Sequence, residues 1–120
     1  MLKIIYIGII LLCLDFIYLT ITRDFFKNQI EKIQFSNMKV NIFSAIITYI
    51  ILIYGLNYFI ISKNKSVYDA FIFGIIIYGV YETTNYAIFK NWSIKSVILD
   101  TIWGGILLSL TTKIIYYNQI

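Results

Sequence analysis

The stretch from Ile42 to Ile61, IFSAIITYIILIYGLNYFII, holds 20 residues without one Asp, Glu, Lys or Arg. A helix of about 20 predominantly apolar residues, rising 1.5 Å per residue, crosses the ~30 Å hydrocarbon layer of a bilayer. The run does not alternate polar and apolar positions, as a strand of a membrane barrel would. Asn41 stands before it and Ser62-Lys63-Asn64-Lys65-Ser66 after it, marking where the chain leaves the apolar layer. It reads as a transmembrane helix.

The neighbouring runs follow the same logic. Ile4 to about Thr22 is an earlier apolar stretch, Tyr68 to Phe89 a third and Ser96 to Tyr116 a fourth. In the first, Ile4 to Leu14 leads into Asp15 and bulky Phe16, Ile17 and Tyr18 rather than a small-residue cleavage pattern, so it is kept as a helix and not a secretory signal. Residues 23–41 mix Lys27, Asn28, Glu31, Lys32, Asn37 and Lys39 with Phe25, Phe26, Ile30, Ile33 and Phe35, without one clean apolar stripe. An amphipathic helix at the head groups is one reading of them, and an interfacial connection is the expectation. The later connections are too short to hold a domain, so successive helices must run antiparallel. The expectation is all-α: one integral membrane domain over 1–120, a compact antiparallel four-transmembrane-helix bundle with spans 4–22, 42–61, 68–89 and 96–116.

Composition agrees. The chain is 60% hydrophobic and only 13% charged, too few charges to cover a soluble surface. Its net charge of +4 is spread through the connections, which suits anionic head groups; there is no dense basic stripe for nucleic acid. Arg23, Lys27, Lys32, Lys39, Lys90 and Lys95 lie in the first and third connections, against Lys3, Lys63, Lys65 and Lys113 elsewhere. The positive-inside rule then favours termini on the outer side. Histidine is absent and Cys13 stands alone, which excludes a His-ligated metal, an intrachain disulfide and a CxxC pair. Cys13 is expected to be a buried small hydrophobe.

The residues that carry chemistry are the carboxylates inside the spans. Asp15 and Glu82 each lie about seven residues before the end of a span, and Asp100 about four after the start of the last, roughly 6 to 11 Å deep. Antiparallel topology puts all three in the half of the membrane that faces the first and third connections. Tyr18, Thr48, Tyr49 and Tyr78 fall at the same level, Asn85 follows Glu82 on one helical face, and Trp103 follows Asp100. Gly74, Gly79 and Gly104-Gly105 permit close helix approach there. The pattern is a polar pocket with aromatic walls. No Lys or Arg shares the depth; Arg23 and Lys95 are the nearest cations, able to snorkel back. Three adjacent carboxylates cannot then all stay charged, and a proton or a cation must compensate. Asp69, in a first helical turn at the opposite interface, suits capping instead.

These fragments resemble a known family, the bacterial membrane proteins of domain-of-unknown-function family 2177, over nearly the whole chain. Leu14-Asp15-Phe16-Ile17-Tyr18-Leu19 is similar to its L-D-x-x-W-L, with Tyr18 in place of Trp. Tyr81-Glu82-Thr83-Thr84-Asn85 is similar to its Y-[DE]-x-T-N, and Asp100-Thr101-Ile102-Trp103-Gly104 to its D-x-x-W-G, with Trp92 standing for the family's Trp in the preceding connection. The resemblance implies a four-helix membrane domain with an acidic layer, a multi-pass protein of a bacterial-type inner or plasma membrane. It implies no activity.

The leading functional expectation is a domain that binds and moves a proton-coupled small solute or cation. Glu82 would be the protonation site and Asp15 and Asp100 the ligand or coupling groups. Asn85 and Tyr49 would complete the shell, with Tyr18 and Trp103 shaping the pocket. Four short helices leave little material for alternating access, so a second copy is expected to form part of the path. One alternative is a lipid- or isoprenoid-modifying membrane enzyme, with one carboxylate as base and another as acid, or a pair holding Mg²⁺. Another is an accessory subunit of a larger membrane partner, its acids serving as helix–helix glue. No catalytic residue is singled out, no cofactor is expected, and the motif glycines of nucleotide and hydrolase sites are missing.

Overall fold

Between Gly8 and Gly55 the chain contains neither proline nor glycine, so nothing in the backbone halts the first helix at the membrane boundary. In the computed structural model, which describes residues 2–118, helix α1 runs without a break from Leu2 to Gln34, 33 residues. Candidate span 4–22 falls within it. Residues 23–34, expected to belong to the connection, are more helix, and the connection proper is only 35–41. The apolar pattern concealed this because the residue this extension buries is Gln29, a polar one. α1 ends where Phe35 enters the left-handed region at φ 57°, its N–H donating to the Glu31 carbonyl at 2.9 Å.

The other boundaries follow from side-chain caps. The Asn41 side chain accepts from Ser44 N at 3.1 Å and starts α2, Ile42–Leu56, which continues as a π-helical turn over Asn57–Ile61. Ser66 accepts from Asp69 N at 3.0 Å and starts α3, Val67–Ile88; Asp69 sits in its first turn, as expected. Ser93 Oγ accepts from Ser96 N at 3.1 Å where α4, Ile94–Asn118, begins. Among the described residues all regular structure is helical.

Contacts between neighbours fix the direction of each helix. Gly8 of α1 faces Ile53 of α2, and Gly55 faces Phe73 of α3. α3 and α4 share the most extensive contact. A Cβ placed on Gly74 would lie 2.1 Å from the Gly104 carbonyl oxygen, and one on Gly104 would lie 2.3 Å from the Tyr78 ring. Only glycine lets the two backbones come this close. Tyr18 meets Asp100 and Gln29 meets Ser96, which sets α1 antiparallel to α4.

Helices α1, α4 and the 42–61 helix are each long and apolar enough to cross a membrane. The 22-residue α3 is long enough but more polar, since it carries Asp69, Glu82 and Asn85, and it lies along α4. Burial is inverted relative to a soluble protein: Phe16, Ile17, Ile21, Phe43, Ile50 and Ile51 are exposed, while Asp15, Glu82, Asn85 and Thr111 are buried. Lipid is the solvent that accepts such a surface. The chain is a multi-pass integral membrane protein. Cys13, expected inside, is exposed on α1; in an apolar solvent a small thiol has no reason to be buried. The aliphatic core of Ile7, Leu11, Leu52, Leu56, Leu107 and Ile115 fills the half nearer the termini, and the acids occupy the other half.

Candidate functional site

The acidic layer is a chain of hydrogen bonds that touches all four helices. Asp15 of α1 accepts from the Trp103 indole of α4 at 2.9 Å through Oδ1 and from the Tyr49 hydroxyl of α2 through Oδ2. One turn along α1, Tyr18 stacks flat on Trp103, ring centroids 4.6 Å apart and planes 3° from parallel. The same tyrosine donates its hydroxyl to Asp100 Oδ1 at 2.8 Å. Asp100 is in turn in hydrogen-bonding contact with the Glu82 carboxyl of α3. Glu82 Oε1 accepts from the Trp92 indole at 2.8 Å. Every donor named here is a neutral aromatic group, so the layer solvates carboxyl groups without supplying positive charge.

One oxygen stands outside this pattern. Glu82 is fully buried, and its Oε2 receives no hydrogen bond. Two carboxyl groups in contact bond to each other only if one of them holds a proton, because carboxylates accept and do not donate. The Glu82–Asp100 contact therefore has room for one proton, and without it Oε2 is a buried acceptor awaiting a donor.

This pair lies in the wall of a cavity of about 350 Å³, within the range of small-molecule sites (~300–1,000 Å³). The α1 extension supplies Arg23 and Lys27 to it, along with apolar Phe26 and Ile30, and Leu19 precedes them on the same helix. Met38 and Val40 of the 35–41 connection form a further wall, with Trp92 on the far side. The connection is folded onto α1: Met38 N donates to Glu31 Oε2 at 2.9 Å, and Gln34 Nε2 donates to the Ser36 and Asn37 carbonyls. The far wall is held by Gln29, which donates to Ser96 Oγ and accepts from Ser93 N, both at 2.8 Å.

The whole length that contributes to this layer has a counterpart among known proteins: residues 1–117 match the family described as "Predicted membrane protein (DUF2177)". The chain belongs to that family. No curated protein and no solved structure matches it. Membership in the DUF2177 family supports the membrane architecture over its full extent and leaves the chemistry to be read from the site.

Of the residues singled out in the sequence, Asp15, Tyr18, Tyr49, Glu82, Asp100 and Trp103 meet in one connected layer. Asn85 is buried one turn beyond Glu82. Thr48 turns away and donates to the Ser44 carbonyl of its own helix. Arg23 does approach the acids, as a wall of the same cavity, whereas Lys95 packs over the Phe25 ring at 5.3 Å. Sequence reasoning missed Lys27, the Gln29–Ser93–Ser96 bonds and the role of Trp92. Trp92 entered only through the family pattern, and its spacing from Glu82 matches no helical period. Among the described residues no group of three or more His, Cys, Asp or Glu is placed to hold a metal ion; what the layer offers is a carboxyl pair.

Proposed function

We propose that the chain binds a small solute through the Glu82–Asp100 pair, exchanges the pair's proton against a hydrogen-bond donor or cation of that solute, and couples this exchange to the solute's movement in an oligomer. The observation that carries the reading is Glu82 Oε2, fully buried, without a donor, on a residue that lines a cavity. Loss of the shared proton leaves two adjacent charges in apolar surroundings, which is unfavourable unless a donor or cation takes its place. Binding and deprotonation are then two sides of one equilibrium. Tyr18 and Trp92 orient the pair, Arg23 and Lys27 are the charged groups across the cavity, and Asn85 adds a polar group one turn on. Asp15, with Tyr49 and Trp103, backs the pocket as a coupling or ligand group.

The test uses purified protein in liposomes, following solute-dependent proton flux. Glu82→Gln and Asp100→Asn should reduce it to background while the variants still insert and fold. Flux equal to wild type in both variants would sink the reading.

A structural reading has one observation in its favour. Both oxygens of Asp15 are already bonded to neutral aromatic donors, the arrangement expected of a carboxyl that ties α1 to α2 and α4. Under that reading Asp15→Asn leaves flux intact and lowers bundle stability.

A further inference from the structure

The lining of the cavity beside Glu82 changes character along α1. Tyr18 marks the level of the acids, because its hydroxyl bonds Asp100. Arg23 and Lys27 lie five and nine residues farther along α1, hence ~8 and ~14 Å farther along the helix axis, toward the 35–41 connection. The rest of the α1 and 35–41 lining is mostly apolar, from Leu19, Phe26, Ile30, Met38 and Val40. Leu19 and Val40 are themselves exposed, 47% and 62%, so these two lining residues also reach the outer surface.

We propose that the occupant of this cavity is a monoacyl glycerophospholipid. Its order of groups matches that of the lining. The phosphate belongs at the level of Arg23 and Lys27, where a guanidinium bonds phosphate oxygens in pairs. The free glycerol hydroxyl lies one step deeper and donates to the Glu82–Asp100 pair, taking the place of the shared proton at Glu82 Oε2. The acyl chain leaves across Leu19 and Val40 into the bilayer. A diacyl lipid has no free hydroxyl for Glu82, and free glycerol phosphate has nothing to place on the apolar walls. This inference rests on the reading of Glu82–Asp100 as a binding site and names its ligand class.

The experiment is a tryptophan-fluorescence titration of the purified full chain in neutral detergent, since Trp92 lines the cavity and the chain has only 2 tryptophans. The probes are 1-oleoyl lysophosphatidic acid, its 2-methoxy analogue, dioleoyl phosphatidic acid and glycerol 3-phosphate. The free hydroxyl should improve affinity roughly tenfold over the methoxy analogue, as a hydrogen bond to a charged group does. Glycerol 3-phosphate should fail to compete. Arg23→Ala should weaken both monoacyl lipids, and Glu82→Gln should shrink the difference between them; Lys63→Ala, in the connection on the other side, should change neither. Equal affinity of wild type for the hydroxyl and methoxy lipids overturns the inference, and that comparison needs no variant to fold. Competition by glycerol 3-phosphate at lipid-like concentration also overturns it. Discrimination by the hydroxyl without Glu82-dependent proton flux supports the ligand class while removing transport. Flux that depends on Glu82 beside equal affinities removes the ligand class and leaves the proton site.

Discussion

Trp92 and Glu82 form a bond that no helical spacing would suggest, 10 residues apart and bridging a connection to a membrane helix. Trp92→Phe keeps the ring's bulk and removes the indole donor to Oε1, the one hydrogen bond to that oxygen among the described residues, leaving a second uncompensated oxygen on a fully buried carboxyl. We expect a loss of about 1–3 kcal/mol, measured as a shift in denaturant unfolding in detergent. Tyr49→Phe should cost less, because Asp15 keeps the Trp103 indole. If the two substitutions destabilise equally, the difference assigned to Oε2 is wrong. At this scale the sequence reveals which level each acid occupies, since counting residues from a span's end gives depth. It does not reveal which donor meets which oxygen, because those donors come from four separated segments.

At the scale of the element, the glycines of α3 are not equivalent. Gly74 meets the Gly104 backbone, whereas a Cβ on Gly79 would find Thr101 Cγ2 at 3.6 Å, an ordinary contact. Gly74→Ala should force α3 and α4 apart and cost on the order of 1–3 kcal/mol, while Gly79→Ala should stay within about 0.5 kcal/mol. Thermal unfolding of the two variants in the same detergent separates them, and equal midpoints would contradict the close crossing at Gly74. Phe35 closes α1 in a left-handed conformation that costs a bulky residue ~1–2 kcal/mol. Its side chain is 90% exposed, so Phe35→Gly should raise the unfolding midpoint. The length of α1 was hidden in the sequence for a related reason. A periodicity test seeks buried apolar residues, and the extension instead buries Gln29 against Ser93 and Ser96.

Considered whole, the molecule is 46 Å long, more than the ~30 Å of hydrocarbon it crosses. The excess lies partly in the α1 extension, which carries the cavity's cations beyond the acidic layer. Single cysteines at Lys63 and Lys90, in a Cys13→Ser background, should react with an impermeant maleimide from opposite sides of sealed vesicles. Reaction of both from one side would contradict the alternating path of the helices. Native Cys13 should resist that reagent and accept a lipid-soluble one, because its exposure is to hydrocarbon.

The sequence by itself determined the solvent, the number of helices and the shared depth of Asp15, Glu82 and Asp100, because each depends on run length and on the fixed rise of a helix. Full-length membership in a membrane-protein family agrees with that reading. Only the tertiary structure decided that the Glu82–Asp100 pair lines a cavity, and that Arg23 and Lys27 line it from a helix that runs on unbroken to Gln34. The walls of that cavity come from α1, the 35–41 connection, α3, Trp92 and α4, and no local pattern specifies a space enclosed by segments so far apart in the chain. Their packing leaves Glu82 Oε2 buried without a donor.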